Sequence, residues 1–399
     1  MSFFPLSRRL KGYRERIAHE YSMWDHRRSS ARNLRNYEHW IQKFQNNPPG
    51  VFLGPDLAYG GVRGHVRAIR EYSDLNVQLV PDEAAMGGLG NFTAEIRERF
   101  MEFNPTGSPA VHSHVLPWMI HWCRRQQERG LRWIHTYHLP YFPEHGKESL
   151  RPDQIEINDA LIHEACHADV RLSVSRWQQE FLRSEHGIET DYLPNGVDMN
   201  VCDLGDADRF RRRHYLAGPF LLYIGRNDPV KNPADFVRLA LAMPALRFVM
   251  IGGGLTTETL REEWQVEAPA NLTLPGPASH AGVQDAIAAC SVLVVTSKRE
   301  GLPTLVMEGM AHQKPVVVPD EAGCMEAIGD GEFGYIYQQG NIDDLVAKVE
   351  LALKDSSIGL RARQRVLEEY DWRVVAPKLD GLYRSIGTLN KWIPDHPLT

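Results

Sequence analysis

Two cations and two carboxylates carry the chemistry most legible in this sequence. Arg226 and Lys231 lie five residues apart in Tyr223-Ile-Gly-Arg226-Asn-Asp-Pro-Val-Lys231, directly after an apolar run. Arg offers a planar fork and Lys a point charge, which together suit a diphosphate. Glu300 and Glu308 lie eight apart in Ser297-Lys-Arg-Glu300-Gly301-Leu302-Pro303-Thr304-Leu-Val-Met-Glu308, after a second apolar run. Pro303 suits the first position of a helix carrying Glu308. The free N–H groups and dipole of that helix favour a phosphate. One carboxylate before the N-terminus and one inside the helix are placed to grip hydroxyls on either side of it. Either pair alone reads more simply as a solvated loop or helix face. Yet Glu308 sits among Leu305, Val306, Met307 and Met310, where an unpaired charge would be costly. At equivalent strand ends of one α/β unit, the four outline a nucleotide-sugar site.

Three weaker signals accompany them. Gly60-Gly61 falls at a strand-to-helix turn, where glycine lets a ligand approach the backbone, although a plain tight turn fits as well. Thirteen of the 17 histidines precede residue 200. His112-Ser-His114 and His135-Thr-Tyr-His138 each follow an apolar run, at positions expected to face a cleft. HxH and HxxH are metal-ligand spacings, but no Cys or carboxylate cluster accompanies them. Asp206-Ala-Asp208 reads as a helix start rather than a metal motif, and Gly252–Gly254 as a tight turn.

The elements needed to position these residues are a doubly wound pair. Short apolar runs alternate with helical segments: Val51–Gly54, Val77–Val80, Ala110–Val111, Leu131–Ile134 and Val170–Val174 first. Then come Phe220–Ile224, Phe248–Ile251, Leu272–Leu274, Val292–Thr296 and Pro315–Val318. Such alternation predicts βαβ units and parallel sheets. Helices are expected from near Val62, over Pro233–Ala242, Gly282–Cys290, Asn341–Leu353 and Gly359–Tyr370, and last over Trp372–Ile386. Leu193-Pro-Asn-Gly-Val-Asp198 reads as a tight Asn-Gly turn. The fold class expected is α/β, two Rossmann-like lobes facing a central cleft. Residues 1–50 form a basic helical extension, 51–200 an acceptor lobe and 201–371 a donor lobe. The segment 372–399 packs back on the first lobe.

Composition bounds the partners. The 399 residues are 43% hydrophobic and 24% charged, as in ordinary globular proteins. The net charge of −6 argues against nucleic acid as partner. Residues 1–50 nevertheless hold ten Lys/Arg against four Asp/Glu, with Phe3, Phe4, Tyr13, Tyr21 and Trp24. That extension suits a packed helical pair, a homo-oligomer contact or a peripheral contact with anionic lipid. Five scattered cysteines and no signal-peptide pattern suggest a cytoplasmic protein.

In order and spacing these motifs resemble retaining glycosyltransferases of the GT-B fold, family 4 in particular (glycosyl transferases group 1). The resemblance rests on Gly225-Arg226…Lys231, Ile251-Gly-Gly-Gly254, Leu274-Pro-Gly276, Glu300-Gly301…Glu308-Gly-Met-Ala311, Lys314-Pro-Val-Val317 and Gly331…Gly334. It extends to Gly60-Gly61, Val174-Ser175 and Pro194-Asn-Gly-Val-Asp198. It implies that Glu300 contacts the sugar, Glu308 the ribose diol, and Arg226 and Lys231 the diphosphate. Gly60, Gly61, Gly301, Leu302, Pro303 and Thr304 would complete the donor site. His135 best matches the family's first-lobe histidine. The implied reaction is hexosyl transfer from a UDP-sugar to a saccharide, lipid-linked or small-molecule hydroxyl, in carbohydrate biosynthesis, with no cofactor and no metal. The acceptor is not legible. Two other readings fit: a sugar-nucleotide epimerase or hydrolase on this fold, or a silent scaffold subunit. The chain departs from the family at Lys231-Asn232, where Lys-Gly is usual, and at Glu300-Gly-Leu-Pro303, where Glu-Gly-Phe-Gly is usual.

Overall fold

A computed structural model describes residues 29–44, 47–58, 60–108, 110–143, 150–355 and 357–388. Most of the basic extension, including its five named aromatic residues, and residues 389–399 lie outside them.

Among the described residues, twelve strands form two parallel six-stranded sheets. The first contains β1 (Val51–Gly54), β2 (Val77–Leu79), β3 (Ala110–Ser113), β4 (Arg132–Tyr137), β5 (Val170–Ser173) and β6 (Asp191–Tyr192), in the order β2-β1-β3-β4-β5-β6. The second contains β7 (Phe220–Ile224), β8 (Arg247–Ile251), β9 (Leu272–Gly276), β10 (Val292–Val294), β11 (Val316–Pro319) and β12 (Tyr335–Tyr337). Its order is β12-β11-β10-β7-β8-β9. Helices cover both faces of each sheet, so central strands such as Val51-Phe52-Leu53 are apolar and buried throughout. Strand order reverses between β1 and β3 and between β7 and β10. Loops leaving those strand pairs part in opposite directions and open a crevice at the carboxyl ends.

The described part of the extension, helix 29–44, packs Tyr37, Trp40 and Phe44 onto the first lobe. Trp40 stacks on Phe100 with ring centroids 5.9 Å apart, and Phe44 meets Phe52 edge-on at 5.0 Å. The last helix, Trp372–Thr388, also returns to this lobe. Val375, Leu379, Tyr383 and Ile386 close a core with Val51, Leu53, Val66 and Ile69. Asp380 accepts from Ser73 Oγ at 2.6 Å and from the Asp74 amide at 2.8 Å.

The chain crosses between lobes twice, side by side. The Val197 amide donates to Tyr370 O at 2.6 Å, and the Trp372 amide donates to Val197 O at 3.1 Å. The Asn-Gly turn expected at Pro194–Asp198 is not formed; the segment is an extended connector. A Cβ on Gly196 would lie 2.5 Å from the Trp372 indole, so glycine serves close packing there. Asp206 caps the helix Ala207–His214 by accepting from the Arg209 amide at 2.9 Å, in line with the structural reading of that DxD.

Candidate functional site

The loops after β7 and β10 flank the crevice of the second sheet, and they are laced together. Thr296 Oγ1 donates to the carbonyls of Lys231 (3.1 Å) and Asn232 (2.7 Å), and the Lys298 amide donates to Val230 O at 2.7 Å. Asn232, where the family usually has glycine, adopts φ 46°. Asn is among the few residues that tolerate the left-handed region, so this departure leaves the loop intact. Its side chain donates to Asp235 at 2.7 Å and precedes the helix Pro233–Ala242. A Cβ on Gly252 would lie 1.7 Å from Gly225 O, so the start of the triple glycine packs backbone to backbone under the Arg226 loop.

This lacing brings Lys231 Nζ to 2.5 Å from Glu300 Oε1. The two residues are 69 positions apart in sequence, and the ion pair places the expected diphosphate and sugar contacts side by side. Arg226 stays largely exposed beside Asp228, at 3.2 Å. Helix Thr304–Ala311 follows, with Pro303 as its cap residue rather than its first position and no side-chain cap bond. Its first amides therefore point outward unclaimed by a side chain. Leu302 differs from expectation: its side chain lies in the core, leaving only its backbone at the loop. Gly323 fits against the Glu300 and Gly301 carbonyls, where a Cβ would lie 2.5 Å from each.

Glu308 sits on the buried side of that helix with His280 Nε2 at 3.5 Å from Oε1. The bond to Glu308 raises the His280 pKa above its ordinary 6.5. A histidine whose folded pKa is raised contributes stability in full below pH 6.5 and loses it as pH rises through the folded value. NMR titration should therefore show His280 titrating above 6.5, and returning toward that value in Glu308→Gln. An unchanged His280 titration in this variant would refute the pairing.

On the facing lobe, Gly60 (φ 98°) and Gly61 open the helix Gly61–Tyr72, both exposed with free space around them. The histidines are corrected by the structure. β4 runs three residues beyond the expected Ile134, so His135 lies mid-strand, fully buried, bonded through Nδ1 to Ser113 Oγ at 2.8 Å. It does not reach the cleft. His112 is likewise internal, between Tyr383 Oη (2.6 Å) and Thr136 Oγ1 (2.8 Å). The residues beyond the strand ends are His114 and His138, which meet His65 from the helix Gly61–Tyr72. Burial holds all five imidazoles neutral, lowering His65 to about 4, His135 to about 3, and His112, His114 and His138 well below their ordinary value.

Three further residues join the lobes across the cleft, none singled out in the sequence. Trp177 Nε1 donates to Gly301 O at 2.6 Å, and Asn195 Nδ2 donates to Leu302 O at 2.8 Å. Glu326 accepts from the amides of Arg176 (2.8 Å) and Trp177 (3.0 Å), a carboxylate on the N-terminus of helix Arg176–His186. The Glu300–Thr304 loop is thus held by second-lobe packing below and first-lobe donors above. Asn195 belongs to the Pro194–Asp198 motif, so its position was legible but not its contact.

Residues 206–369 match the family described as glycosyl transferases group 1. Sulfoquinovosyl transferase SQD2 of Arabidopsis thaliana is 29% identical over 168 residues, 40% of this chain and 32% of that protein. The chain thus spans about a third of that relative's length. The D-inositol 3-phosphate glycosyltransferase of Mycobacterium bovis is 24% identical over 371 residues, 86% of this chain and 74% of that protein. Among solved structures, HepE of Anabaena in complex with UDP and glucose superposes with a TM-score of 0.66. It shares 17% identity, over 84% of this chain and 99% of that one. The fold is GT-B.

Proposed function

From a second lobe that matches glycosyl transferases group 1, we propose that this chain is a retaining glycosyltransferase. It moves a hexosyl group from a nucleotide-sugar, a UDP-sugar by preference, to a hydroxyl of a saccharide, lipid-linked or small-molecule acceptor. The observation that carries this reading is the Lys231–Glu300 ion pair beside the uncapped helix start at Thr304, with Arg226 in the loop that carries Lys231 and Glu308 in that helix. The UDP and glucose bound by the Anabaena protein, and the transferase names of both relatives, support the donor class.

The chemistry follows from charge. Breaking the anomeric C–O bond builds negative charge on the leaving diphosphate. Arg226, Lys231 and the open amides at Thr304 stabilise it where it develops. Three such donors serve the diphosphate without a metal on it. Glu300 orients the sugar hydroxyls and Glu308 the ribose diol. Retention proceeds by attack on the face the diphosphate leaves, with that phosphate helping to take the acceptor proton. Gly60 and Gly61 bring backbone close from the opposite lobe, and lobe closure excludes water. His135 takes no part, since it is sealed within β4.

Thermal-shift screening against UDP-, GDP- and ADP-sugars tests the donor, with stabilisation by the UDP class expected. Failure of every nucleotide-sugar to stabilise the protein would sink the reading. Incubation with the stabilising donor, with and without acceptor extracts, separates transfer from hydrolysis or epimerisation. Turnover of donor alone at the full rate would favour those alternatives.

A further inference from the structure

We propose that Trp177 and Glu326 are positioning residues for Glu300, so that the donor loop reaches its working geometry only when the two lobes are closed. This inference rests on the assignment of Glu300 to the donor sugar. Residues 299–302 are each anchored separately. The Arg299 guanidinium lies over the Phe142 ring, 3.8 Å from its centroid. The Glu300 amide faces the Glu321 carboxylate, which also accepts from the Cys324 amide at 3.0 Å. Gly301 O accepts from Trp177 Nε1 at 2.6 Å, and Leu302 O from Asn195 Nδ2 at 2.8 Å. Phe142, Trp177 and Asn195 all belong to the first lobe. The residue that carries the sugar contact is therefore flanked on both sides by grips from the facing lobe.

Glu326 makes these grips act as one. It lies in the short helix Ala322–Ala327 that Glu321 caps. Its two oxygens accept from the Arg176 and Trp177 amides. The second lobe thus fixes the Trp177 backbone while the Trp177 indole fixes that lobe's loop. Phe142 joins the group through Phe181, whose ring centroid is 5.4 Å from that of Phe142 and 6.2 Å from that of Trp177. The circuit runs from Gly301 through Trp177 and Glu326 to Gly323. There a Cβ would lie 2.5 Å from the Glu300 and Gly301 carbonyls, so the helix presses on the loop where the circuit began. Burial raises the Glu326 pKa, and the two first-lobe amides oppose that rise. A carboxylate taken out of water is costly unless its oxygens are claimed, so Glu326 favours the closed arrangement.

Opening the lobes parts Trp177 from Gly301, Phe142 from Arg299 and both amides from Glu326 together. Glu300 then keeps Lys231 but loses the anchors on either side of it. The sugar contact is therefore completed by closure, when water is excluded, which guards the donor against hydrolysis. Diphosphate contacts need no such help, since Arg226 and Lys231 both lie in one loop of the second lobe. Trp177 and Glu326 accordingly act on turnover and not on diphosphate binding.

The test uses the full-length chain. Trp177→Phe keeps the ring and removes the N–H donor, so kcat should fall about 3- to 10-fold, as for one lost hydrogen bond. The Kd of UDP by calorimetry should stay within about twofold of wild type. Glu326→Ala should lower kcat by more than about tenfold, since bonds to a charged group are stronger. Glu326→Gln should recover part of that loss, because one acceptor oxygen remains. Combined, Trp177→Phe and Glu326→Ala should lose less than the product of their separate losses, since both act through the Gly301 carbonyl. Hydrogen exchange without any ligand reads the clasp directly. Protection over residues 298–306 should fall in Trp177→Phe and Glu326→Ala. It should persist in Arg183→Ala, whose side chain pairs with Glu180 on its own helix. A kcat within about twofold of wild type in both clasp variants, or a loss matched by equal loss of UDP affinity, would overturn the proposal. Should wild type turn over no nucleotide-sugar, the donor reading fails by itself and exchange decides the clasp: lost protection upholds it, and unchanged protection refutes it.

Discussion

Lys231→Ala should lower kcat/KM for the donor by about 10²–10³, the loss seen when one donor to a developing negative charge is removed. The structure gives the change a second component. Lys231 Nζ holds Glu300 Oε1 at 2.5 Å, and the Glu300 side chain is 14% exposed. Without the ammonium, a half-buried carboxylate stands unpaired beside the incoming diphosphate, and like charges repel. Binding of UDP alone should therefore weaken as well as turnover. Glu308→Ala should act mainly on binding, since it removes charged hydrogen bonds worth about 1.5–3 kcal/mol each, or roughly 10- to 150-fold. Steady-state kinetics and calorimetric titration with UDP check both. Values within threefold of wild type in both variants would remove the site from this crevice.

The protein should also lose stability steeply on mild acidification. His65, His112, His114, His135 and His138 are buried and neutral, with pKa values pushed below 6.5 by burial. The unfolded chain binds protons at these residues once pH falls through about 6.5, while the folded chain does not. Stability is thus fully present above 6.5 and lost as pH falls toward the folded values of about 4 and about 3. Each histidine costs up to about 1.4 kcal/mol per pH unit, so five approach about 5–7 kcal/mol per unit, comparable to a domain's whole stability. His280 works in the opposite sense but is a single, partly exposed group. Urea midpoints measured from pH 7.5 to pH 5 should fall sharply below 6.5. A flat midpoint across that window would show the cluster to be solvated.

Parallel strands buried on both faces read as unbroken apolar runs, which is why Phe220–Ile224 and the helix Pro233–Ala242 are legible to the residue. The sequence predicts β4 three residues short for the converse reason. His135, Thr136 and Tyr137 look like loop, but Ser113, His112 and Leu161 supply their hydrogen bonds from neighbouring elements. That difference alone moves His135 from the end of the strand to its interior. The four charged donor-site residues were legible because each pair lies within one loop–helix segment of a recognisable motif. The cross-lobe contacts of Trp177, Asn195 and Glu326 are not, since their partners lie over 100 positions away. The histidine triad assembles from positions 65, 114 and 138, a spacing with no local signature.

The return of the helix Trp372–Thr388 to the first lobe has a consequence for synthesis on the ribosome. The second sheet is contiguous, so its strands are all made once residue 337 has emerged. The first lobe is different: Val51, Leu53, Val66 and Ile69 meet Val375, Leu379, Tyr383 and Ile386 only after the whole second lobe has been made. The lobe made first is therefore completed last, and its apolar flank stays uncovered while more than 180 residues follow β6. A nascent chain of this protein presents that flank to chaperones throughout, and loss of even the last few helical turns would leave it exposed for good.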